Sequence, residues 1–320
     1  MSTDFAFFYS IKFLSYIWEQ TLKQNMKNIA SLLFTFLIIT SCQQKEKQHK
    51  TEKEYTTVSY LDIKLDPNGH LPSNPYILEF KKGKKEIVFC GVEHLTDNSD
   101  VENKMFTTIE NKFYTFQPTI IVNEGGDISQ NKYLSKKDAL QKDGEIGLAK
   151  IMADSLKIKT IDGDPSVDYE FNQLLKTYTK GEFLAYIVTE RLMWGLVGEQ
   201  NLPEKEIEKR YTTFIEKYII QKGKVTLSPQ EKTFAFYKTN YRQLVEREFS
   251  LKDLKPTNPF DANGKFQEIG RKSKNIRDQF LLKTIDHLLD SNNKVFVVFG
   301  GWHLLTCKPG LEEVIQSKRD

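Results

Sequence analysis

The sequence contains few cysteines, which excludes the folds and metal sites that depend on many of them. Three cysteines (Cys42, Cys90 and Cys307) are too few for a disulfide framework or a four-thiolate zinc finger. A single disulfide between Cys90 and Cys307 stays open as one interpretation. The simpler interpretation is that both residues pack inside the fold as free thiols.

The sequence also lacks a charge excess and the common catalytic motifs. Its 46 Lys and Arg residues against 43 Asp and Glu residues give a formal charge of +3, too small for a phosphate-attracting field. No basic stripe alternates with aromatic residues, so we expect no nucleic-acid partner. The patterns G-x-S-x-G, H-E-x-x-H and G-x-G-x-x-G and the phosphate-binding loop are absent from the sequence, which argues against the enzyme classes they mark.

The amino terminus has the layout of a secretory signal. Residues 26–42 (MKNIASLLFTFLIITSC) place a lysine before an apolar run and small residues before Cys42. The ending is typical of a bacterial lipobox, so we predict that residues 1–42 are a signal segment, that Cys42 is lipidated and that translation starts at Met26. A transmembrane anchor is the weaker alternative, because the apolar run is shorter than the ~20 residues of a span.

Residues 43–54 (QQKEKQHKTEKE) contain no apolar side chain and cannot bury a core. We therefore predict a polar tether between the lipid and a folded domain. These features together predict a protein of the bacterial cell envelope that is lipid-anchored to a membrane and works outside the cytoplasm.

Four short apolar runs predict the strands of a buried sheet, and helical patterns separate them. The runs cover residues 86–90, 119–122, 158–161 and 295–299. This alternation predicts an α/β fold, with a mostly parallel or mixed sheet and flanking helices. Residues from about 165 to 263 contain no such run, so we predict a helical insertion that forms a lid over the strand carboxyl ends. Residues 55–320 would then form a single hydrolase-like domain.

The residues that follow these strands are the most informative feature. His94 and His303 occupy the same G-x-x-H position after two different strands, and Glu124 follows a third. Ligands bind at the carboxyl ends of parallel strands, so these side chains are candidates for a shared site. Imidazoles suit general base catalysis or metal ligation, and two histidines with a carboxylate form a common set of zinc ligands. Each residue alone also fits a loop or a helix cap, and we assign His70 and His287 to structure.

These motifs, together with an Arg-Asp pair in the helix before the last strand, resemble those of the TraB/GumN (PrgY) family. That family includes the Tiki proteins and is distantly related to erythromycin esterases and to ChaN-like haem-binding lipoproteins. The resemblance covers residues 84–153 and 274–314, and the residues that carry it are Gly91-x-x-His94, Asn123-Glu124-Gly125, Arg277-Asp278 and Gly300-Gly301-x-His303.

The resemblance implies a hydrolase that acts on a peptide or a small ester or amide. His94, Glu124 and His303 would hold a divalent metal (Mn, Co or Zn), as in a metal-dependent peptidase. In the metal-free alternative, His94 and Glu124 would activate water directly. Arg277 would stabilise the oxyanion or bind a substrate carboxylate. Two further carboxylates would orient the histidines: Asp97 and Asp164.

Two other functions stay open at this point. The same histidines would serve a haem- or metal-binding surface lipoprotein without catalysis, and the many tyrosines and phenylalanines of the insertion would then line an apolar cleft. At helical spacing, however, such aromatic residues more often form a core. The last alternative is a catalytically inactive interaction domain at the cell surface.

Overall fold

The computed structural model describes residues 53–64, 69–95, 97–199 and 202–319. The predicted signal segment, Met26, Cys42 and most of the predicted tether lie outside the described residues. Within the described ranges, every helix is too short or too polar to cross a membrane.

The centre of the fold is a five-stranded mixed sheet in the order β1-β2-β5-β3-β4. Strand β1 is antiparallel to β2, and the other neighbouring strands are parallel. The strands are β1 (Tyr76–Lys82), β2 (Lys85–Val92), β3 (Ile120–Asn123), β4 (Lys159–Asp162) and β5 (Lys294–Gly300). The α/β prediction is confirmed, and all four predicted strands are present.

Helices cover both faces of this sheet. They are α1 (Lys104–Phe116), α2 (Lys136–Leu156), α3 (Val167–Leu175), α4 (Lys180–Val188), α5 (Trp194–Leu196), α6 (Glu204–Phe214), α7 (Phe234–Val245), α8 (Lys265–Ser291) and α9 (Gly301–Ser317). Alternate residues of β2 face opposite layers: Val88 packs with α1 and α2, and Phe89 packs with α8 and α9. The result is a sheet between two helical layers.

The two described cysteines belong to different layers. Cys90 on β2 faces α1 and α2, whereas Cys307 on α9 lies in the core on the other side of the sheet. Both are buried and unbridged. The disulfide interpretation is therefore wrong, and the interpretation as packed thiols is confirmed.

The predicted insertion follows β4 and returns to the core at α8. It is helical, as predicted, and π-helical turns at Thr189–Met193 and Ile215–Lys222 extend α4 and α6. Its apolar side chains form a core of their own, separate from the two cores that flank the sheet. The insertion packs against α8, where the Ser273 hydroxyl donates to Glu170 of α3 at 2.6 Å. Its role as a lid stays a prediction.

Candidate functional site

The strand order brings the predicted site residues to one edge of the sheet. Strands β2, β5, β3 and β4 are consecutive neighbours, and their carboxyl ends lie together in the parallel register. The residues that follow these ends are, in the same order, His94, His303, Glu124 and Asp164. Residues far apart in sequence therefore meet, because β5, the last strand, is inserted between β2 and β3.

Glu124 lies at the centre of the site and is buried. Its Oε1 accepts a hydrogen bond from Arg277 Nη2 at 2.6 Å, and its Oε2 accepts one from the Gly300 backbone N–H at 2.6 Å. Burial raises the pKa of Glu124, but the charge of Arg277 and the hydrogen bond and charge of His94 together outweigh burial and hold the pKa well below its usual range. Glu124 is therefore a carboxylate at neutral pH.

His94 lies between two carboxylates. Its Nδ1 is 2.6 Å from Glu145 Oε1, and its Nε2 is 3.7 Å from Glu124 Oε2. Burial lowers the pKa of His94, but the charge of Glu145 and the interactions with Glu124 exceed this effect and raise the pKa to about 10. His94 is therefore an imidazolium at neutral pH, with one N–H directed at each carboxylate.

The Glu145 contact depends on a kink in α2. Asp143 and Gly144 have non-helical backbone angles, and Gly144 has a φ of +55°, which a residue with a side chain rarely adopts. The kink separates two helical segments and begins the second one at Glu145, beside His94. Sequence analysis did not identify Glu145. The sequence signal for the kink is the Asp143-Gly144 pair, because a glycine inside a helical pattern indicates a break in the helix.

His303, on the first turn of α9, also lies between two carboxylates. Its Nδ1 is 2.5 Å from Asp278 Oδ1, and its Nε2 is 4.0 Å from Glu124 Oε1. The Thr306 hydroxyl donates to the second oxygen of Asp278 at 2.9 Å, which fixes that carboxylate. Because an ionised carboxylate only accepts hydrogen bonds, the network assigns the proton to Nδ1 and leaves Nε2 to face Glu124.

Arg277 bridges two carboxylates. Besides Glu124, it binds Asp164, whose Oδ1 accepts from Nε at 2.7 Å. The other oxygen of Asp164 accepts the Gly125 N–H at 2.9 Å, so Asp164 fixes both the guanidinium and the loop that carries Glu124. The prediction that Asp164 orients a histidine is therefore wrong.

Asp97 does not orient a histidine either. It is exposed and accepts the backbone N–H of Ser99 at 2.8 Å, so it forms a local turn. The two histidines are held instead by Glu145 and Asp278. His70 and His287 lie on the surface and not among these buried side chains. His70 is exposed and lies 3.1 Å from Glu93, and the His287 side chain is 87% exposed on α8.

Gly300 allows the close approach of the site residues. A Cβ atom at this position would lie 2.9 Å from Glu124 Oε2 and 3.7 Å from His94 Nε2. The first distance is below van der Waals contact, so any side chain would displace the carboxylate. The missing side chain is therefore what lets the Gly300 N–H reach Glu124.

The geometry of His94, His303 and Glu124 can be compared with what a bound divalent metal requires of its ligands. Both imidazoles suit the role, because a carboxylate holds each Nδ1, as is usual for metal-bound histidines. Glu124 fits poorly as a third ligand, since Arg277 and Gly300 already bind both of its oxygens at 2.6 Å. The histidines also face different oxygens of Glu124, and 3.7 and 4.0 Å exceed the roughly 3.3 Å between ligands of a tetrahedral zinc ion. Among the described side chains, no three His, Cys, Asp or Glu residues form a metal-binding group. The residues thus do not fit a three-ligand metal centre.

The site is closed to solvent. The side chains of His94, Glu124 and His303 are 8%, 2% and 5% exposed. A surface cavity of about 490 Å³ lies near the β1–β2 turn, at the amino-terminal ends of the parallel strands. It is thus at the end of the sheet opposite to His94, Glu124 and His303. A molecule could therefore reach Glu124 only if the segments that cover the site moved.

Comparisons with known proteins add no assignment: the chain matches no protein-family model and no curated protein sequence. The resemblance to the TraB/GumN family thus stays a prediction.

Proposed function

We propose that the protein is a hydrolase that cleaves a carboxyl ester or an amide, with Glu124, His94 and His303 as its catalytic group. One observation carries the proposal. Both imidazoles direct Nε2 toward the same buried carboxylate, and a separate carboxylate holds each ring through Nδ1. Such an arrangement fixes ring orientation and charge before substrate binds, which is what acid–base catalysis requires.

His303 is the better candidate for the general base. Asp278 holds its Nδ1 proton, as the aspartate of a catalytic triad does, so Nε2 is available to accept a proton from water. The water oxygen then attacks the carbonyl carbon of the substrate. Glu124, whose Oε1 lies 4.0 Å from Nε2, stabilises the imidazolium that forms on His303.

His94 suits the opposite role, because a pKa of about 10 leaves it protonated at neutral pH. It cannot accept a proton in that state. Its Nε2–H is placed to donate a hydrogen bond to the oxyanion, and then a proton to the leaving group as the tetrahedral intermediate collapses. Arg277 binds Glu124 and Asp164, so we assign it the positioning of Glu124.

The predicted metal-dependent peptidase is the second candidate, because carboxylates hold His94 and His303 through Nδ1. Glu124 would have to leave Arg277 and the Gly300 N–H to serve as its third ligand. When bound, a divalent ion would polarise the carbonyl and acidify water. Metal analysis of the purified protein, with hydrolysis measured before and after chelation, separates the two mechanisms. Reversible loss of activity on chelation supports the metal enzyme, whereas full activity in chelator supports direct catalysis by the histidines.

The main experiment is hydrolysis of peptide libraries and simple carboxyl esters by wild type, His94→Ala and His303→Ala. We expect each variant to lose activity by roughly 10²–10⁴-fold, because each loses a group that transfers a proton or stabilises charge. If both variants keep wild-type rates, the catalytic proposal fails. A haem spectrum of the purified protein would then favour the binding lipoprotein.

We also propose that the protein is a lipid-anchored component of the bacterial cell envelope, on the basis of the motif that ends at Cys42. Only a thiol accepts the diacylglycerol, so Cys42→Ser should release the protein from membranes. Membrane fractionation tests this, and firm attachment of the serine variant would contradict it.

A further inference from the structure

The kink in α2 contacts both of the loops that carry His94 and Glu124. At the start of the second helical segment, Glu145 Oε1 lies 2.6 Å from His94 Nδ1. The next residue, Ile146, packs on the loop after β3, where a Cβ atom at Gly125 would lie 2.9 Å from Ile146 Cδ1. Gly125 directly follows Glu124 in the chain. The direction of the second segment therefore affects the positions of two proposed catalytic groups.

The sequence on both sides of the kink favours a continuous helix. Residues 136–142 and 145–156 are rich in strong helix formers such as alanine, leucine and lysine. Gly144 permits the change of direction, since its φ is +55°, but a glycine also fits inside a regular helix at a cost of about 1 kcal/mol. A bent α2 therefore needs contacts from outside the helix to hold it.

Tyr133 supplies such a contact at the kink itself. Its hydroxyl donates to Asp143 Oδ2 at 2.6 Å, and Asp143 is the non-helical residue before Gly144. The Asn131 amide donates to the same hydroxyl at 3.2 Å. Burial and the bond to Asp143 raise the pKa of Tyr133, so the hydroxyl keeps its proton and remains a donor at neutral pH. The loop between Glu124 and α2 is thus tied to the kink by a strong type of hydrogen bond.

Tyr114 makes a comparable contact with the same helix, away from the kink. Its hydroxyl lies 3.2 Å from Ser155 Oγ, near the carboxyl end of α2. Removal of this hydroxyl disturbs α2 to a similar extent but leaves the contact at Asp143 intact. Tyr114→Phe is therefore the matched control for Tyr133→Phe.

We propose that Tyr133 is a positioning residue, whose hydroxyl holds the kink of α2 through Asp143 and thereby places Glu145 against His94. Without this bond α2 is free to straighten, and the Glu145 carboxylate moves away from the imidazole. The catalytic consequence rests on the proposed hydrolase function, whereas the placement of Glu145 does not.

The first test needs no substrate. In the full chain with ¹⁵N-labelled histidine, the Nδ1–H signals of His94 and His303 report their hydrogen bonds to carboxylates, and the two alanine variants assign them. Tyr133→Phe should shift the His94 signal upfield, because its hydrogen bond lengthens, and should leave the His303 signal in place. Tyr114→Phe should leave both signals in place. An unmoved His94 signal in Tyr133→Phe, or an equal shift in Tyr114→Phe, overturns the proposal.

Variants of Asp143 test whether the effect passes through this residue. Asp143→Asn keeps an oxygen that accepts the Tyr133 hydroxyl, so it should retain the wild-type His94 signal. Asp143→Ala should shift that signal upfield, and the addition of Tyr133→Phe should shift it no further, since both changes remove the same bond. Additive shifts would show that the two residues act separately, against the proposal.

Ester hydrolysis tests the catalytic consequence. Tyr133→Phe should lower kcat about tenfold and keep KM within about twofold of the wild-type value, because a misplaced catalytic group slows the reaction without weakening substrate binding. Tyr114→Phe should keep both values. If wild type hydrolyses no ester, the hydrolase proposal fails, and the NMR signals alone decide on the placement of Glu145. If wild type is active and Tyr133→Phe keeps its kcat, the positioning role fails alone.

Discussion

The described part of the chain contains two buried Glu–Arg pairs, one at the sheet edge and one in the insertion. At the sheet edge, Arg277 binds Glu124. In the insertion, Arg191 Nη2 binds both oxygens of Glu170, at 2.6 and 2.7 Å. In both pairs burial raises the pKa of the glutamate, and the arginine charge together with the hydrogen bonds to the carboxylate more than offsets it, so both carboxylates stay ionised. The ion pairs themselves are therefore alike.

The surrounding groups differ, and they decide what each pair can do. Glu170 also accepts the Ser273 hydroxyl, and the Tyr218 hydroxyl binds Arg191, so the partners are hydroxyls that keep their protons at neutral pH. Glu124 instead faces Nε2 of His94 and Nε2 of His303, the groups that we propose carry out proton transfer. We therefore infer that the function of a buried Glu–Arg pair depends on which titratable groups share its carboxylate.

We expect the largest loss of activity from a substitution in the pair at the sheet edge. Glu124→Gln keeps the shape of the side chain and removes the charge that faces both histidines. We expect kcat/KM to fall at least about 10³-fold, because the imidazolium formed during catalysis loses its counter-charge. Ester hydrolysis by equal concentrations of folded protein measures this. A decrease of less than tenfold would remove Glu124 from the catalytic group.

The matched variant in the insertion should affect stability instead. Glu170→Gln leaves the Arg191 charge buried without its carboxylate, which should lower the free energy of unfolding by about 3–5 kcal/mol. Urea denaturation measures the loss. The protein that remains folded should hydrolyse esters within about threefold of the wild-type rate, and a loss as large as that of Glu124→Gln would show that the two pairs do not differ in role.

Gly300→Ala should lower activity by moving the Glu124 carboxylate, without removing its charge. The new Cβ would lie 2.9 Å from Glu124 Oε2 and push the carboxylate away from the Gly300 N–H. We expect roughly a 10²-fold decrease in kcat, since small displacements of catalytic groups cost about that much.

The control for Gly300→Ala is Gly270→Ala on α8, whose Cβ would lie 3.2 Å from the Thr257 carbonyl oxygen, beside the insertion. This variant should leave the rate of hydrolysis unchanged. Equal losses from both alanines would point to a general disturbance of packing.

The smallest effect concerns Asp162 at the end of β4. Burial raises its pKa to about 6, and the charge of Asp164 adds to the shift. Between the unfolded value near 3.8 and about 6, the folded state binds more protons, so Asp162 lowers stability as pH rises through this window. We expect Asp162→Asn to raise the free energy of unfolding by about 1–2 kcal/mol at pH 7. Urea titrations at pH 7 and pH 3.5 check this, and an equal gain at both pH values would contradict it.

The fold was largely predictable from the sequence because its central strands are continuous apolar runs. Strand β1 was missed, since it is an edge strand whose YILEFKK sequence mixes apolar and charged residues. The convergence of His94, Glu124, Arg277 and His303 followed from their places after strands and within the preceding helix, and the structure brings these residues together. Their catalytic roles stay predictions.

The carboxylates behind the histidines could not be predicted in the same way. Glu145 reaches His94 because α2 is kinked, and the backbone angles of a kink are not visible in a hydrophobic pattern. Asp278 follows Arg277 in α8, but consecutive helical residues point about 100° apart, so one binds His303 and the other Glu124. Their partners become clear only when the helix is placed against the sheet.

In the proposed mechanism, the histidines held around Glu124 carry out the chemistry. The most direct test is ester hydrolysis by His303→Ala beside His287→Ala, which removes an exposed imidazole ten residues after Arg277 on the same helix. We expect His303→Ala to lose roughly 10²–10⁴-fold in kcat/KM, whereas His287→Ala should keep the wild-type value. Equal kcat/KM values for the two variants would contradict it.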